Sequence, residues 1–179
     1  THERMKADQM PEHLIDLAEA PKATILFAHG AGAPMDSPFM QHMVSRLVAR
    51  NLSVVRFEFK YMAQRRIDSK RRPAPKAETL IPEMKAALAE LERGLPIVLA
   101  GKSMGGRVAS MMASEAHAAG DIAGVICMGY PFHPPKKPEQ LRTAHLQEMT
   151  APVLILQGER DPFGSRDEVT GYTLSPAIR

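Results

Sequence analysis

The sequence predicts an α/β fold, a mostly parallel sheet with helices on both faces. Three observations predict it. Short aliphatic and β-branched runs recur along the chain. Longer segments between them carry apolar residues at helical spacing. The short runs are apolar almost continuously, which is the pattern of strands covered on both sides. One domain is expected over 1–179, since 179 residues with 44% hydrophobic content suit a single core.

The elements follow in chain order. Residues 12–17 read as an edge strand, paired antiparallel across the turn near Pro21. Buried strands are expected at 23–28, 53–57, 97–100, 122–128 and 153–156. Ser37-Pro38 is a cap followed by a first-turn proline, and Phe39, Met43, Leu47 and Val48 then recur at helical spacing. Leu80, Met84, Leu88 and Leu91 mark a helix within 77–93 that stops at Gly94. Val108, Met111 and Met112 mark another at about 104–118. The charged stretch 60–76 has no periodicity and reads as a basic loop. A short helix near 166–172 and a strand beginning at Ala177-Ile178 close the chain. The alternation predicts right-handed crossovers.

Composition excludes several classes. No apolar run reaches the length of a membrane span. The segment Thr1 to Pro11 is polar and lacks an apolar signal core, so a cytoplasmic protein is expected. The single Cys127 excludes an internal disulfide framework and a multi-cysteine metal site. It lies in the run Val125-Ile126-Cys127-Met128 and reads as a buried small hydrophobe. The net charge of +3 is no argument for nucleic acid. No aromatics interleave the basic residues, and no recognition motif is present.

Gly101-Lys102-Ser103-Met104-Gly105 fits G-x-S-x-G. The pattern alone is weak, but its context is the strand–turn–helix that a nucleophile elbow requires. Glycine is needed at 101 and 105 because a Cβ there would strike the neighbouring strand or helix. Gly106 lets the helix start close to the sheet. Gly101-Lys102-Ser103 also matches the tail of a phosphate-binding loop. That motif needs glycine where Pro96 stands, and a loop where this chain has a strand, so nucleotide binding is excluded.

The strand at 23–28 ends in His29-Gly30-Ala31-Gly32-Ala33-Pro34. Small residues there let backbone N–H groups approach a substrate oxygen. The expected oxyanion donors are the N–H of Met104 and that of Ala31 or Gly32. His29 is expected to shape the loop rather than move protons. The strand at 153–156 ends in Gln157-Gly158-Glu159-Arg160-Asp161-Pro162. A carboxylate just past a strand in a Gly/Pro turn suits a triad acid. Asp161 is preferred over Glu159 because the Asp-Pro turn fixes its direction. The order expected is serine, acid, histidine. All seven histidines (2, 13, 29, 42, 117, 133 and 145) precede Asp161. The catalytic histidine is therefore expected beyond residue 179. His133, in Tyr130-Pro131-Phe132-His133-Pro134, is a weaker substitute as base and a better candidate for the pocket wall.

These motifs together resemble the α/β-hydrolases. The resemblance is narrower still to the testis-expressed-protein-30-like hydrolases and the hydrolase-like part of NSL complex subunit three, with dienelactone-hydrolase-like character. It is carried by His29-Gly-Ala-Gly-Ala-Pro-Met-Asp-Ser-Pro-Phe-Met40, Phe57-Glu-Phe59, Tyr61-Met62, Lys70-Arg-Arg-Pro73, Gly101-Lys-Ser-Met-Gly-Gly-Arg107, Gly129-Tyr-Pro-Phe-His-Pro-Pro135 and Gln157-Gly-Glu-Arg-Asp-Pro-Phe-Gly164. The resemblance implies an α/β-hydrolase sheet, a Ser103–Asp161 pairing and a histidine in a C-terminal loop. The chain stops before that loop, so the fold's C-terminal strand and helix are expected to be missing from it.

Expected function is therefore serine hydrolysis of an ester-like bond in a small substrate, with no metal and no cofactor. A non-catalytic interaction module on a hydrolase scaffold is the alternative. Arg71 and Arg72 emerge on the same sheet edge as Ser103 and are candidates to hold an anionic substrate group, while a solvated basic loop fits the composition equally. Without a further strand, 153–156 would be an exposed apolar edge, and a homodimer through it is expected.

Overall fold

The computed structural model describes residues 12–179. Chain order is β1 (Leu14–Asp16), β2 (Ala23–Ala28), α1 (Pro38–Val48), β3 (Leu52–Phe57), α2 (Lys60–Asp68), α3 (Ala77–Ala89), β4 (Ile97–Lys102), α4 (Met104–Ala118), β5 (Gly124–Met128), α5 (Ala144–Gln147), β6 (Val153–Leu156) and α6 (Arg166–Thr170). The strands form one six-stranded sheet in the order β1-β3-β2-β4-β5-β6. All neighbours are parallel except β1, which runs antiparallel to β3. This is the mostly parallel sheet that the sequence predicts.

Alternation along each strand divides the core in two. Ile25, Phe27, Val54 and Ala100 face Met40 and Val44 of α1. Leu26, Ala28, Leu99, Val125 and Cys127 face the opposite way, toward Leu80 and Met84 of α3 and Val108 and Met112 of α4. Both faces need cover, which is why the strands read as unbroken apolar runs. Ser37 caps α1, its hydroxyl accepting from the Met40 N–H, with Pro38 in the first turn.

Three expectations need correction. The edge strand pairs with β3, not with β2 across the turn, because β3 and β4 already take both sides of β2. The stretch 60–76 is not all loop, since Lys60–Asp68 is helical. Its buried face is a single residue, Met62, with Tyr61 partly packed, so no apolar period shows in the sequence. Ion pairs hold it instead, as described below. The outer edge of β6 is also not bare. Val153 and Ile155 donate N–H bonds to the carbonyls of Ala177 and Arg179 at 3.1 and 2.8 Å, and Arg179 N–H returns one to Val153 at 2.9 Å. The expected strand start at Ala177-Ile178 is thus present as a parallel bridge. The side chains of Leu154 and Leu156 remain 41% and 50% exposed.

No helix among the described residues is long and apolar enough to cross a membrane. Cys127 is fully buried, its Sγ contacts the Gly106 carbonyl, and burial pushes the thiol up to about 12.

Candidate active site

The carboxyl ends of β2, β4, β5 and β6 lie along one edge of the sheet. They deliver His29, Ser103, Gly129 and the 157–164 turn to that edge. Crevices outside the strands' carboxyl ends are where open α/β sheets bind ligands.

Ser103 is the first residue past β4 and the N-cap of α4, with φ 48° and ψ −115°. Left-handed backbone of this kind costs a non-glycine residue about 1–3 kcal/mol and persists only where the surroundings enforce it. The enforcement is visible. Ser103 N–H donates to the Met128 carbonyl at 2.9 Å, extending the β4–β5 ladder past the strand end. A Cβ on Gly101 would lie 2.1 Å from backbone atoms of Gly105 and Gly106. A Cβ on Gly105 would lie 2.5 Å from the His29 carbonyl oxygen. Neither position admits a side chain, so the expected glycine roles hold. Ser103 itself is half-buried, and its hydroxyl makes no capping bond to the helix it opens.

The loop after β2 is held from both sides. His29 is fully buried. Its Nε2 accepts from the Phe59 N–H at 3.1 Å, and its Nδ1 donates to the Gly30 carbonyl at 2.7 Å. A backbone N–H can only donate, so the ring is the neutral Nδ1–H tautomer. Burial lowers its pKa, and the Gly30 bond opposes this in part. His29 therefore shapes the loop, as expected. Tyr61 Oη donates to the Ala31 carbonyl at 2.8 Å and touches Met104 Sδ at 4.0 Å. Burial pushes the Tyr61 phenol pKa up, helped by the charges of Glu58 and Glu83. Arg65 Nη1 donates to the Gly32 carbonyl at 3.4 Å. The N–H groups of Ala31, Gly32 and Met104 have no acceptor among the described residues.

Asp161 sits on the same edge. Its Oδ1 accepts from the Phe163 N–H at 2.8 Å, which fixes the carboxylate. Its Oδ2 lies 3.5 Å from where a Cβ on Gly129 would stand. Gly129 is the residue after Met128, the acceptor for Ser103 N–H. Serine and carboxylate therefore flank one peptide at the end of β5. Glu159 instead pairs outward with Arg166.

His133 is not on an open pocket wall. The residue is 3% exposed, with Nδ1 2.7 Å from the Pro134 carbonyl and Nε2 2.7 Å from Glu168 Oε2. Both ring nitrogens are engaged by these two partners, so neither is turned to Ser103. The ring ties its loop to the cap of α6, where Ser165 and Glu168 form a capping box. His145 is bound to Ser110 Oγ at 2.8 Å. Among the described residues, no histidine is bonded to Ser103 or Asp161.

Of the two basic candidates, Arg72 pairs with Asp68 one helical turn back. Arg71 is exposed and has no carboxylate partner among the described residues. Both line a small cleft against Ala31 and Gly32.

The sequence reading missed one network. Glu58 is fully buried just past β3. Arg66 meets it with Nε to Oε1 at 2.6 Å and Nη2 to Oε2 at 2.8 Å. Arg66 also holds Asp36 at 2.6 and 3.2 Å, and the Met35 N–H donates to Glu58 at 3.1 Å. Arg66 holds the Asp36 carboxyl below its ordinary range. The clamp ties α2 to the loop between β2 and α1. Its sequence signal was a lone glutamate between Phe57 and Phe59, since a charge inside an apolar run asks for a buried partner.

A family model described as an alpha/beta hydrolase domain matches residues 21–179. The chain belongs to this family. Solved structures agree with it in fold. An alpha-beta serine hydrolase homologue from Coxiella burnetii is 20% identical with a TM-score of 0.73, covering 93% of this chain and 77% of that one. Dienelactone hydrolase from Anabaena variabilis is 22% identical with a TM-score of 0.71, covering 93% and 76%. The esterase Pf2001 of Pyrococcus furiosus is 15% identical with a TM-score of 0.65, covering 99% and 83%. At these identities the likeness is one of fold.

Proposed function

We propose that the protein is a serine hydrolase of carboxylesterase type acting on a small ester. The observation that carries this reading is the left-handed Ser103 between two glycines that no side chain can replace. The turn stores strain where a nucleophile would stand.

Ser103 Oγ attacks the ester carbonyl, and the Oγ–acyl bond forms as the carbonyl oxygen takes the negative charge. The free N–H groups of Met104 and of Ala31 or Gly32 receive that oxygen. The alcohol leaves with the proton taken from Ser103. Water then attacks the acyl-enzyme, and the acid product departs as the proton returns to Ser103. Asp161 orients the base and stabilises its charged form. The base in this reading is a histidine in chain beyond residue 179, in the order serine, acid, histidine. The narrower resemblance to the testis-expressed-protein-30-like and NSL-subunit-three-like group, and the dienelactone hydrolase among the fold neighbours, support small substrates without naming one.

The test is labelling of the full-length protein with a neutral fluorophosphonate. Adduct on Ser103, lost in Ser103→Ala and reduced in Asp161→Asn, is expected. A folded full-length protein that takes no label refutes the reading and leaves a scaffold without this chemistry.

A further inference from the structure

The oxyanion loop is one wall of a cleft of about 140 Å³, closed on its other side by α2 and the segment that follows it. A pocket for a whole small ligand is usually roughly 300 Å³ or more. This cleft is therefore sized for one substituent of a substrate rather than for all of it. Its position is fixed relative to the elbow. Tyr61, which lines it, bonds the Ala31 carbonyl and touches the side chain of Met104, the residue after Ser103.

The charge around the cleft is one-sided. Arg65 and Arg71 line it, and neither has a carboxylate partner among the described residues. The acids that could neutralise them are engaged. Asp68 is taken by Arg72, and Glu58 and Asp36 are taken by Arg66. Glu83 accepts from the Lys60 N–H at 2.7 Å. A third cation without a described carboxylate partner, Lys102, lies over the Phe39 ring at 4.7 Å, next to Ser103 in the chain. Arg65 is also oriented, since it spends one N–H on the Gly32 carbonyl and keeps its others.

We propose that this cleft is a subsite for a carboxylate carried by the substrate, held by Arg65 and Arg71. Guanidinium forks match a carboxylate in plane, and such charge-assisted pairs are stronger than neutral hydrogen bonds. The ester would be the linkage under attack at Ser103, and the carboxylate would be a second group on the same molecule. The pairing selects among esters by charge rather than by length. This inference rests on Ser103 being the nucleophile, and it specifies which esters Ser103 would receive.

The experiment compares two 4-nitrophenyl esters of equal chain length on the full-length protein. One is the neutral hexanoate, and the other is the adipate that carries a free carboxylate. Neutral fluorophosphonate labelling of Ser103 is recorded in parallel. The expected result is a higher kcat/KM for the adipate, expressed mainly in KM. The ratio of the two esters should fall about tenfold in Arg65→Ala and again in Arg71→Ala. Arg71→Glu should invert the preference. The control Arg50→Ala, on an exposed residue whose guanidinium contacts only the Arg46 carbonyl, should leave the ratio where it was. Labelled Ser103 with no charge preference, or a preference insensitive to Arg65 and Arg71, overturns the subsite and leaves the serine hydrolase standing. If Ser103 takes no label, the hydrolase reading fails and the cleft is judged by calorimetric titration with adipate. Binding that is lost in the double variant upholds the subsite, and absence of binding to wild type overturns it. Inorganic phosphate competing as well as adipate would overturn the assignment to a carboxylate.

Discussion

The backbone N–H of Ser103 donates to the carbonyl of Met128, and the Asp161 carboxylate lies beside Gly129, the next residue, with Oδ2 3.5 Å from where a Cβ there would stand. One strand end thus sets the spacing of Ser103 and Asp161, the proposed nucleophile and acid. The bond is a continuation of a sheet ladder, so its geometry is as rigid as the sheet. Gly129 has φ +71°, so backbone conformation and the nearby carboxylate both favour glycine there.

Relieving the turn at Ser103 should stabilise the protein while removing the proposed nucleophile. Ser103→Gly releases a strain of about 1–3 kcal/mol. It adds unfolded-chain entropy worth roughly 0.5–1 kcal/mol, which opposes the gain. The hydroxyl makes no capping bond to the helix that it would lose. The net expectation is about 1 kcal/mol of added stability, a rise in Tm of roughly 2–4 °C for a chain of this size, together with loss of fluorophosphonate labelling. Calorimetry on both proteins checks it, and a lower Tm for the glycine variant would contradict the strain.

Gly105→Ala should do the reverse. The new Cβ would stand 2.5 Å from the His29 carbonyl oxygen and 2.7 Å from that of Ala28. Both are backbone atoms of β2 and the loop that follows it, so α4 must move away from the sheet. Overpacking of this kind costs about 1–3 kcal/mol, and backbone that cannot yield takes it to the upper end. Urea denaturation should show the loss as a lower midpoint at unchanged slope.

The contrast between these glycines and α2 explains what the sequence made legible. Gly101 and Gly105 announce themselves because strand, G-x-S-x-G and helix are contiguous, and the contacts are local. Asp161 is readable for the same reason, as a carboxylate in a turn just after a strand. Helix α2 and its clamp are not local. Arg66 meets Asp36 across 30 positions in sequence, and Tyr61 meets Ala31 across the same span. Nothing in the composition of 60–76 distinguishes a solvated basic loop from a helix held by ion pairs. The pairing of β1 is hidden likewise, because adjacency in sequence favours β2 while the sheet order leaves only β3 available. His133 misleads because position near the sheet edge says nothing about which way its ring nitrogens are spent.

The Arg66 clamp should be a stability determinant with a functional consequence. Arg66→Ala leaves Glu58 fully buried with only the Met35 N–H as partner. Breaking a buried ion pair from one side costs about 3–5 kcal/mol. Arg66 is 41% exposed, so water can reach part of the site and about 2–3 kcal/mol is expected. The paired change Arg66→Met with Glu58→Gln should recover a good share, since no buried charge remains. A double-mutant cycle by denaturation measures the coupling, and additivity of the two changes would exclude the clamp.

Mild acid should destabilise the protein through His29, well before carboxylates titrate. The native ring is neutral and buried, and its pKa is lowered from 6.5 mainly by desolvation. His145 is shifted the same way, first by burial and then by Arg107. Above about pH 7 neither ring is charged in either state, so neither affects the folding balance. As pH falls through 6.5, the unfolded chain takes up protons that the native rings refuse. Unfolding then gains at most about 1.4 kcal/mol per pH unit for each ring, until the native pKa is reached. Stability should therefore decline as pH falls below 6.5. In the same window the Asp36–Arg66 pair should hold, because a carboxyl with a lowered native pKa loses its contribution only at more acid pH. The measurement is urea denaturation at several pH values on wild type and His29→Asn. The variant should start less stable, having lost the Phe59 N–H bond, and should show a shallower decline. Equal slopes in both proteins would remove His29 as the acid-sensitive group.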